Sequence, residues 1–305
     1  MVRNKYLKYL ERLRPSGIQS TIIAAFTVIS ISIMLILGIV LYIRFSTMSR
    51  EAMVQSTEML MEQTGENLED YLVSMRQISD AAYYNVIKEN DISARDQEIQ
   101  TKMNLLYEAN RDNLQSIAIY NDYGSLMAAE PVAAQKETPD VVDQDWYKQA
   151  VDEMGNMHFS TPHIQNLFDD GTHRYYWVIS LSRVVELTDN GVSQLGVLLV
   201  DMDYSAISRM MNQINTADNG QYYYLCDSRG EIIYHPQQIQ ISDGIISEDS
   251  EAVAKYKDGV YDLTFRGEQR KVIVNTISYT GWKLVGVIPY DALSAGTINI
   301  RYFII

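Results

Sequence analysis

The feature that most restricts this chain is a run of 22 residues, Ile22–Ile43 (IIAAFTVISISIMLILGIVLYI), without a single charge. Its hydroxyl-bearing positions are Thr27, Ser30, Ser32 and Tyr42. Coiled as a helix the run reaches about 33 Å, enough for a hydrocarbon core of about 30 Å. A cleaved leader has a shorter apolar core, about 7–15 residues, closed by small residues. Here the run passes straight into RFSTMSR, so an uncleaved membrane helix over 21–43 is the reading. Arg3, Lys5, Lys8, Arg12 and Arg14 precede it against Glu11 alone, and basic flanks stay in the cytoplasm. Residues 1–20 are therefore expected inside and residues 44–297 outside.

That outer part is acidic. Between Arg44 and Thr297 acidic residues outnumber basic ones two to one, and the 305-residue chain carries a net charge of -14. Such a balance excludes a nucleic-acid binder, whose phosphate contacts need basic surface. Apolar residues make up 47% of the chain, enough for buried cores. Cys226 stands alone, so neither an intrachain disulfide nor a thiolate metal cluster can form. Its apolar, strand-like neighbours make it a buried small side chain. Ile298–Ile305 (INIRYFII) is apolar but too short to cross a bilayer, and Arg301 suits an interface where it can snorkel. It is expected to begin a truncated second membrane helix of a longer product.

From Met48 to about Glu89 the periodicity is helical. Met61, Thr64, Leu68, Tyr71, Met75, Ile78 and Ala82 alternate intervals of three and four, one stripe on one face, with Glu58, Glu62, Glu66, Glu69 and Asp70 elsewhere. Gly65 weakens the middle by up to about 1 kcal/mol and marks a place for a local break. Residues 96–112 read as a second helix with Ile99, Met103, Leu105 and Leu106 inward. The period then changes. Gln115–Glu130 is strand, Asn-Asp-Tyr-Gly turn, strand. Asp143–Gly155 is a short helix. Met157–Ile164 is an edge strand, because Pro162 lacks a ladder donor. His173–Val185 and Val192–Asp203 are longer strands, with turns at Phe168–Gly171 and Leu187–Gly191, and Tyr204–Ile214 returns to helical spacing.

The same order then repeats in smaller form. Gln221–Pro236 is strand, Asp-Ser-Arg-Gly turn, strand; 245–257 is a weak helix or loop; and Gly259–Leu293 holds three strands with turns at Arg266-Gly267 and Thr280-Gly281. IAIYNDYG (Ile117–Gly124) parallels YYLCDSRG (Tyr223–Gly230), and LGVLLVDMDYSAI (Leu195–Ile207) parallels WKLVGVIPYDAL (Trp282–Leu293). The fold expected is α+β: a transmembrane helix, then a long stalk helix (46–90) carrying two PAS-like antiparallel-sheet modules, about 96–214 and 215–293.

Enzyme signatures are absent: no G-x-G-x-x-G, no G-K-S/T loop, no H-E-x-x-H and no G-x-S-x-G. His158, His163, His173 and His235 lack metal-ligand spacing, and no carboxylate pair announces itself. His235, ahead of Pro236, reads as closing a hairpin. Binding chemistry is better represented. Trp146 and Tyr147 lie on a short helix from which a ring can cap a pocket. Arg174, Tyr176 and Val178 share one strand face and Tyr175, Trp177 and Ile179 the other. Tyrosine hydroxyls on both faces need partners, which suits a polar cavity or an interface. Asp201 ends the apolar strand VLLVD, where a carboxylate can receive an ammonium or sugar hydroxyls.

These segments together resemble a known family. LRPSGIQSTIIAAFTVISISIMLILGIVLY followed by MEQTGENLEDYLVSMRQISDAAYY is similar to the start of Gram-positive sensor histidine kinases paired with AraC-like response regulators. DWYKQA (Asp145–Ala150), GVLLVDMDYSAI (Gly196–Ile207), YLCDSRGEIIYHP (Tyr224–Pro236) and GWKLVGVIPYDAL (Gly281–Leu293) resemble the double Cache sensor domain over nearly the whole outer part. The resemblance implies a ligand site in the membrane-distal module. Its amino-acid-binding subset has an Arg two residues before Trp-Tyr and an Asp ending the late strand. Trp146, Tyr147 and Asp201 match. The Arg position holds Gln144, which cannot give the charged two-pronged pairing of a guanidinium.

The expected function is therefore the input half of a membrane-bound, multi-pass sensor histidine kinase. Its expected partners are a small extracytoplasmic ligand of the sugar or oligosaccharide kind such kinases often serve, a second copy of the chain as a homodimer, and a cognate response regulator reached through domains beyond Ile305. No cofactor is expected here, since ATP and Mg belong to the kinase domain, and no catalytic residue or metal ligand is assigned. The candidate ligand-binding residues are Gln144, Trp146, Tyr147, Arg174, Tyr176, Trp177 and Asp201. The alternatives are the ligand-binding half of a methyl-accepting chemotaxis receptor, a receptor with cyclic-dinucleotide or phosphatase output, and an anchored structural or adhesion module.

Overall fold

A computed structural model describes residues 17–88, 90–92, 97–132, 134–136, 140–169, 175–216 and 220–290. They divide into two compact units, 17–55 and 56–290. Helix α1 (Ile18–Ala81) begins in the first. There Ile22, Ile23, Ile31, Met34, Leu35 and Ile36 are all more than half exposed, and their spacing puts them on every side of the helix. An all-round apolar surface needs apolar surroundings, and among the described residues this helix alone is long and apolar enough to cross a membrane. Two of its hydroxyls are satisfied internally: Thr27 Oγ1 donates to the Ile23 carbonyl and Ser32 Oγ to that of Val28, both at 2.8 Å.

In the second unit α1 buries the stripe expected of it. Met61, Thr64, Leu68, Tyr71, Met75, Ile78 and Ala82 are all buried, joined by Thr57, Leu72 and Ser79. Gly65 does not break the helix; it is buried on that stripe, and a Cβ there would lie 3.2 Å from Asn275 Oδ1. The helix ends in a widened π-helical segment, Ala82–Ile87, closed by the Lys88 N–H on the Tyr83 carbonyl at 2.9 Å. Helix α2 (Gln97–Asn110) buries Ile99 and Met103. Leu105, expected inward, is 64% exposed, because it follows Ile99 and Met103 onto the opposite side of a 3.6-residue turn.

The first sheet contains β1 (Leu114–Asn121), β2 (Leu126–Glu130), β4 (His158–Phe159), β5 (His163–Ile164), β7 (Trp177–Asp189) and β8 (Val192–Asp203). Its order is β2-β1-β8-β7-β4, with β5 also on β7. Pro162 divides the expected edge strand into β4 and β5, which pair with β7 at different points. A two-stranded ladder joins β3 (Ala134–Gln135) to β6 (Phe168–Asp169), where the sequence suggested the start of a turn. Helix α3 (Asp145–Asp152) covers one face and α4 (Ser205–Ile214) follows β8.

Strand β7 differs from expectation at both ends. It starts at Trp177, four residues later, and runs on to Asp189 because Asn190 and Gly191 (φ 51° and 73°) make a two-residue turn whose twist matches the hairpin. Tyr175 and Tyr176 precede the strand, so the pattern of aromatics on two strand faces is not formed. Tyr175 is 80% exposed and Trp177 51%, whereas Val178 and Ile179 are fully buried. His173 and Arg174 lie outside the described residues, as do the segment 291–297 and the apolar end, 298–305.

The second sheet repeats the plan. It contains β9 (Tyr222–Cys226), β10 (Ile232–Tyr234), β11 (Gly259–Phe265), β12 (Glu268–Ile277) and β13 (Trp282–Pro289), in the order β10-β9-β13-β12-β11. In both sheets the opening hairpin lies beside the last strand, as the parallel segments suggested. Short helices α5 (Gln238–Ser242) and α6 (Ser250–Val253) precede β11. Gly286 lets α1 approach this sheet closely: a Cβ there would stand 2.7 Å from Met61 Sδ and 3.2 Å from Thr57 Cγ2. Cys226 is fully buried, and burial pushes its thiol up to about 12. His235, expected to close the hairpin, follows β10, and its Nδ1 accepts the Gln237 N–H at 3.0 Å within the next turn.

Candidate ligand-binding site

Helix α3 is amphipathic and lays Trp146, Tyr147 and Ala150 on the inner face of the first sheet, against Ala118, Tyr120, Val197 and Leu199. The Trp146 ring is 5.6 Å from that of Tyr120 and 5.7 Å from that of Tyr147. Ser182 Oγ donates to the Trp146 carbonyl at 2.8 Å, which fixes the helix to β7. The Tyr147 hydroxyl donates to the Asn121 carbonyl at 3.1 Å. Tyr147 is thus a core residue with its polar end satisfied.

The antiparallel register places Ser116 of β1 and Ser180 of β7 opposite Asp201 of β8. Asp201 is only 2% exposed. It accepts hydrogen bonds from Ser180 Oγ at 2.5 Å and from Ser116 Oγ at 2.8 Å. Burial pushes its carboxyl above the ordinary aspartate range, opposed by the two hydroxyls and by nearby His163. Ser180 Oγ also stands 3.3 Å from His163 Nε2, and His163 Nδ1 lies 3.0 Å from the Thr161 carbonyl. A continuous polar chain therefore runs from Asp201 through Ser180 to His163.

His163 opens onto a cavity of about 480 Å³, a size suited to a small molecule. Gln144, Asp145, Trp146, Lys148 and Asp152 line it from the α3 side, and Ser160, Thr161 and Asn166 from the segment around β5. Arg229 and Glu231 line it from the β9–β10 hairpin of the second sheet. Three carboxylates thus face two cations, and Lys148 Nζ is already 3.1 Å from Asp143 Oδ1.

The expected binding residues are therefore divided. Gln144 and Trp146 line this cavity. Asp201 does not; it stands behind His163 and Ser180. Tyr147 does not either. Tyr176 and Trp177 line a different hollow of about 400 Å³, with Tyr204, Asp203 and Ile233. Tyr176 precedes β7, and Trp177 at its start lies on the strand face opposite that of Val178 and Ser180. Arg174 lies outside the described residues. Nothing in the sequence marks His163, Arg229 or Glu231 as cavity-lining residues: each is one polar residue in a segment that reads fully as turn or edge strand.

Two sheets of like topology on one long helix, with a small-molecule-sized cavity at the first, define a two-module sensor domain. The family comparison agrees: the Cache domain model matches residues 45–297, and the chain belongs to that family. Among curated relatives, the methyl-accepting chemotaxis protein TlpB of Bacillus subtilis is 24% identical over 291 residues, covering 92% of this chain and 40% of TlpB. The chain thus spans about two fifths of that relative. Among solved structures, the ligand-binding domain of Campylobacter jejuni chemoreceptor Tlp3 in complex with 4-methylisoleucine superposes with TM-score 0.59 at 14% identity, covering 81% of this chain and 94% of that one. That of the Pseudomonas aeruginosa amino acid chemoreceptor PctC in complex with GABA gives 0.54 at 18% identity, covering 74% and 95%. At such identities the superpositions establish the fold. The curated relative is a methyl-accepting chemotaxis protein, which favours the chemotaxis alternative over the histidine-kinase expectation.

Proposed function

We propose that this chain is the extracellular ligand-sensing half of a methyl-accepting chemotaxis receptor, anchored by Ile22–Ile43, and that its cavity takes a small ammonium-bearing molecule. The observation that carries the reading is the charge around the cavity: Asp145, Asp152 and Glu231 outnumber Lys148 and Arg229, and buried Asp201 lies one serine behind His163. An ammonium entering there gains opposite charge in a partly dehydrated setting, where attraction is stronger than in bulk water. Trp146 supplies an apolar wall. A neutral sugar would draw no benefit from the carboxylate excess, so the amine replaces the sugar as the ligand class, and the kinase-linked partners give way with the kinase.

The test is a calorimetric screen of residues 45–297 against amines, amino acids and neutral sugars. This segment is the unit that the family model matches, and the solved structures of the same fold are ligand-binding domains. At least one ammonium-bearing compound is expected to bind, and Trp146→Ala is expected to weaken it at least tenfold without altering the circular dichroism spectrum. Binding confined to sugars, or no loss in Trp146→Ala, refutes the assignment.

A further inference from the structure

Gln144 occupies the position where the resemblance implied an arginine, so the first module offers no guanidinium at that point. The cavity nevertheless contains one. Arg229 reaches it from the Asp227–Gly230 turn of the second module. We infer that Arg229 is the group that pairs with a carboxylate on the ligand, so that the ligand is a zwitterion held jointly by both modules. This rests on the amine-binding reading above and deepens it.

The mount of Arg229 is built from its own turn. Asp227, buried, accepts the Arg229 and Glu231 backbone N–H groups on Oδ1 at 2.9 and 2.8 Å. Its Oδ2 accepts Arg229 Nε at 3.0 Å, and Glu231 Oε2 accepts Nη2 at 3.1 Å. The guanidinium is thus oriented before any ligand arrives, which lowers the ordering cost of a further hydrogen bond. Nη1 has no hydrogen-bond partner among the described residues, and a guanidinium carries five N–H donors in a fixed fork. The turn itself is rigidly placed. Gly230 has φ 93°, and a Cβ there would come within 2.5 Å of Glu251 Cα, so the turn is pressed directly on the backbone of α6.

Charge decides what else the ligand must carry. Arg229 is already flanked by two carboxylates, and the cavity lining is acidic by one charge. A simple carboxylic acid would add to that excess. A carboxylate that brings its own ammonium leaves the balance unchanged and satisfies Nη1 as well. Lys148 is a poorer candidate for the same role, because an ammonium on a flexible stem is a point charge without the planar fork that meets a carboxylate two-pronged.

The experiment titrates the full 305-residue chain in detergent micelles with the twenty L-amino acids. For each binder its decarboxylated amine and its deaminated acid are titrated too, on wild type, Arg229→Gln and Arg229→Lys. A lost charge-assisted hydrogen bond corresponds to roughly ten- to hundredfold in affinity. The expected result is that Arg229→Gln weakens the amino acid by that factor and does not weaken the amine, whose site only becomes more acidic, that Arg229→Lys recovers part of the loss, and that the deaminated acid does not bind. An amino acid bound equally by wild type and Arg229→Gln overturns the inference, and so does an amine bound as tightly as its parent amino acid. In either case the amine reading stands. Binding by neither series overturns both.

Discussion

Asp201→Asn separates the stability of the first sheet from the charge stored inside it. The carboxylate is enclosed, with two serine hydroxyls as its hydrogen-bond donors. Hydrogen bonds to a charged acceptor contribute about 1.5–3 kcal/mol each and neutral ones about 0.5–1.5. Replacing two of the former with two of the latter therefore loses roughly 2–3 kcal/mol. Against this, a buried carboxylate carries an effective dehydration penalty of several kcal/mol, which Asn removes. The variant should thus match or exceed wild-type stability at neutral pH, by about 0–2 kcal/mol. The pH dependence fixes the sign. The folded carboxyl titrates above its unfolded value of about 3.9, so between the two the folded state holds more protons. Wild-type stability is fullest below the unfolded value and falls as pH rises through the window, by at most about 1.4 kcal/mol per pH unit. Urea denaturation of residues 45–297 from pH 3 to 8 reads this as the difference between wild type and Asp201→Asn. A wild-type advantage that grows with pH, or a variant more than about 2 kcal/mol less stable at pH 7, would mean that the site stabilises the anion, and a difference independent of pH would mean that burial does not shift the carboxyl; each outcome refutes the argument.

Three further outcomes are expected. Gly286→Ala forces a methyl group against Met61 Sδ and Thr57 Cγ2; overpacking of this kind should cost about 1–3 kcal/mol, seen as a lower urea midpoint. Arg183→Gln removes the 2.7 Å contact with Asp80 Oδ1 and the 3.0 Å bond to the Ser79 carbonyl. Asp80 is about one-third exposed, so the loss should be about 1–3 kcal/mol by the same assay. Trypsin added to intact cells should cut within 44–297, and complete protection of that region would refute its placement outside.

The sequence made some of this legible and not the rest, for identifiable reasons. The stripe from Met61 to Ala82 was readable because a helix packed on one side must repeat at three and four residues, and each of its positions is buried. The repeated sheet plan was readable because each module opens with a hairpin and closes with an apolar strand. Strand β7 was misplaced because Tyr175 and Tyr176 have the composition of a strand, while the ladder begins at Trp177 and Val178. The cavity was only half visible. Gln144 and Trp146 are neighbours in sequence, but Arg229 arrives from another sheet, and nothing local distinguishes it from the solvent-facing arginine of an ordinary turn. Asp201 was recognised as unusual from its place at the end of an apolar strand, yet its separation from the cavity by His163 depends on cross-strand register, which no short segment encodes.

A ligand at the first sheet can signal only if it binds two arrangements of the protein unequally; moving a population from 1:99 to 99:1 needs about a 10⁴-fold preference. The contacts that such arrangements would have to exchange are those joining the sheets. Tyr204 Oη donates to the Ile233 carbonyl at 3.0 Å and Tyr234 Oη to Asn212 Oδ1 at 2.7 Å. Phe159 of β4 packs edge-on against Tyr279 and Trp282, with centroids at 5.7 and 6.2 Å. Each such aromatic pair contributes about 0.5–1.5 kcal/mol beyond burial, so Phe159→Ala should loosen the junction by roughly 1–3 kcal/mol from these pairs. Phe159 lies outside the lining of the cavity that holds Trp146 and His163. Affinity for a bound amino acid or amine should therefore stay within a few fold, while the ligand-induced rise in hydrogen-exchange protection along β13 should disappear. If β13 gains protection equally in Phe159→Ala, the coupling runs instead through Arg229 and the β9–β10 turn, and Arg229→Gln should then abolish it.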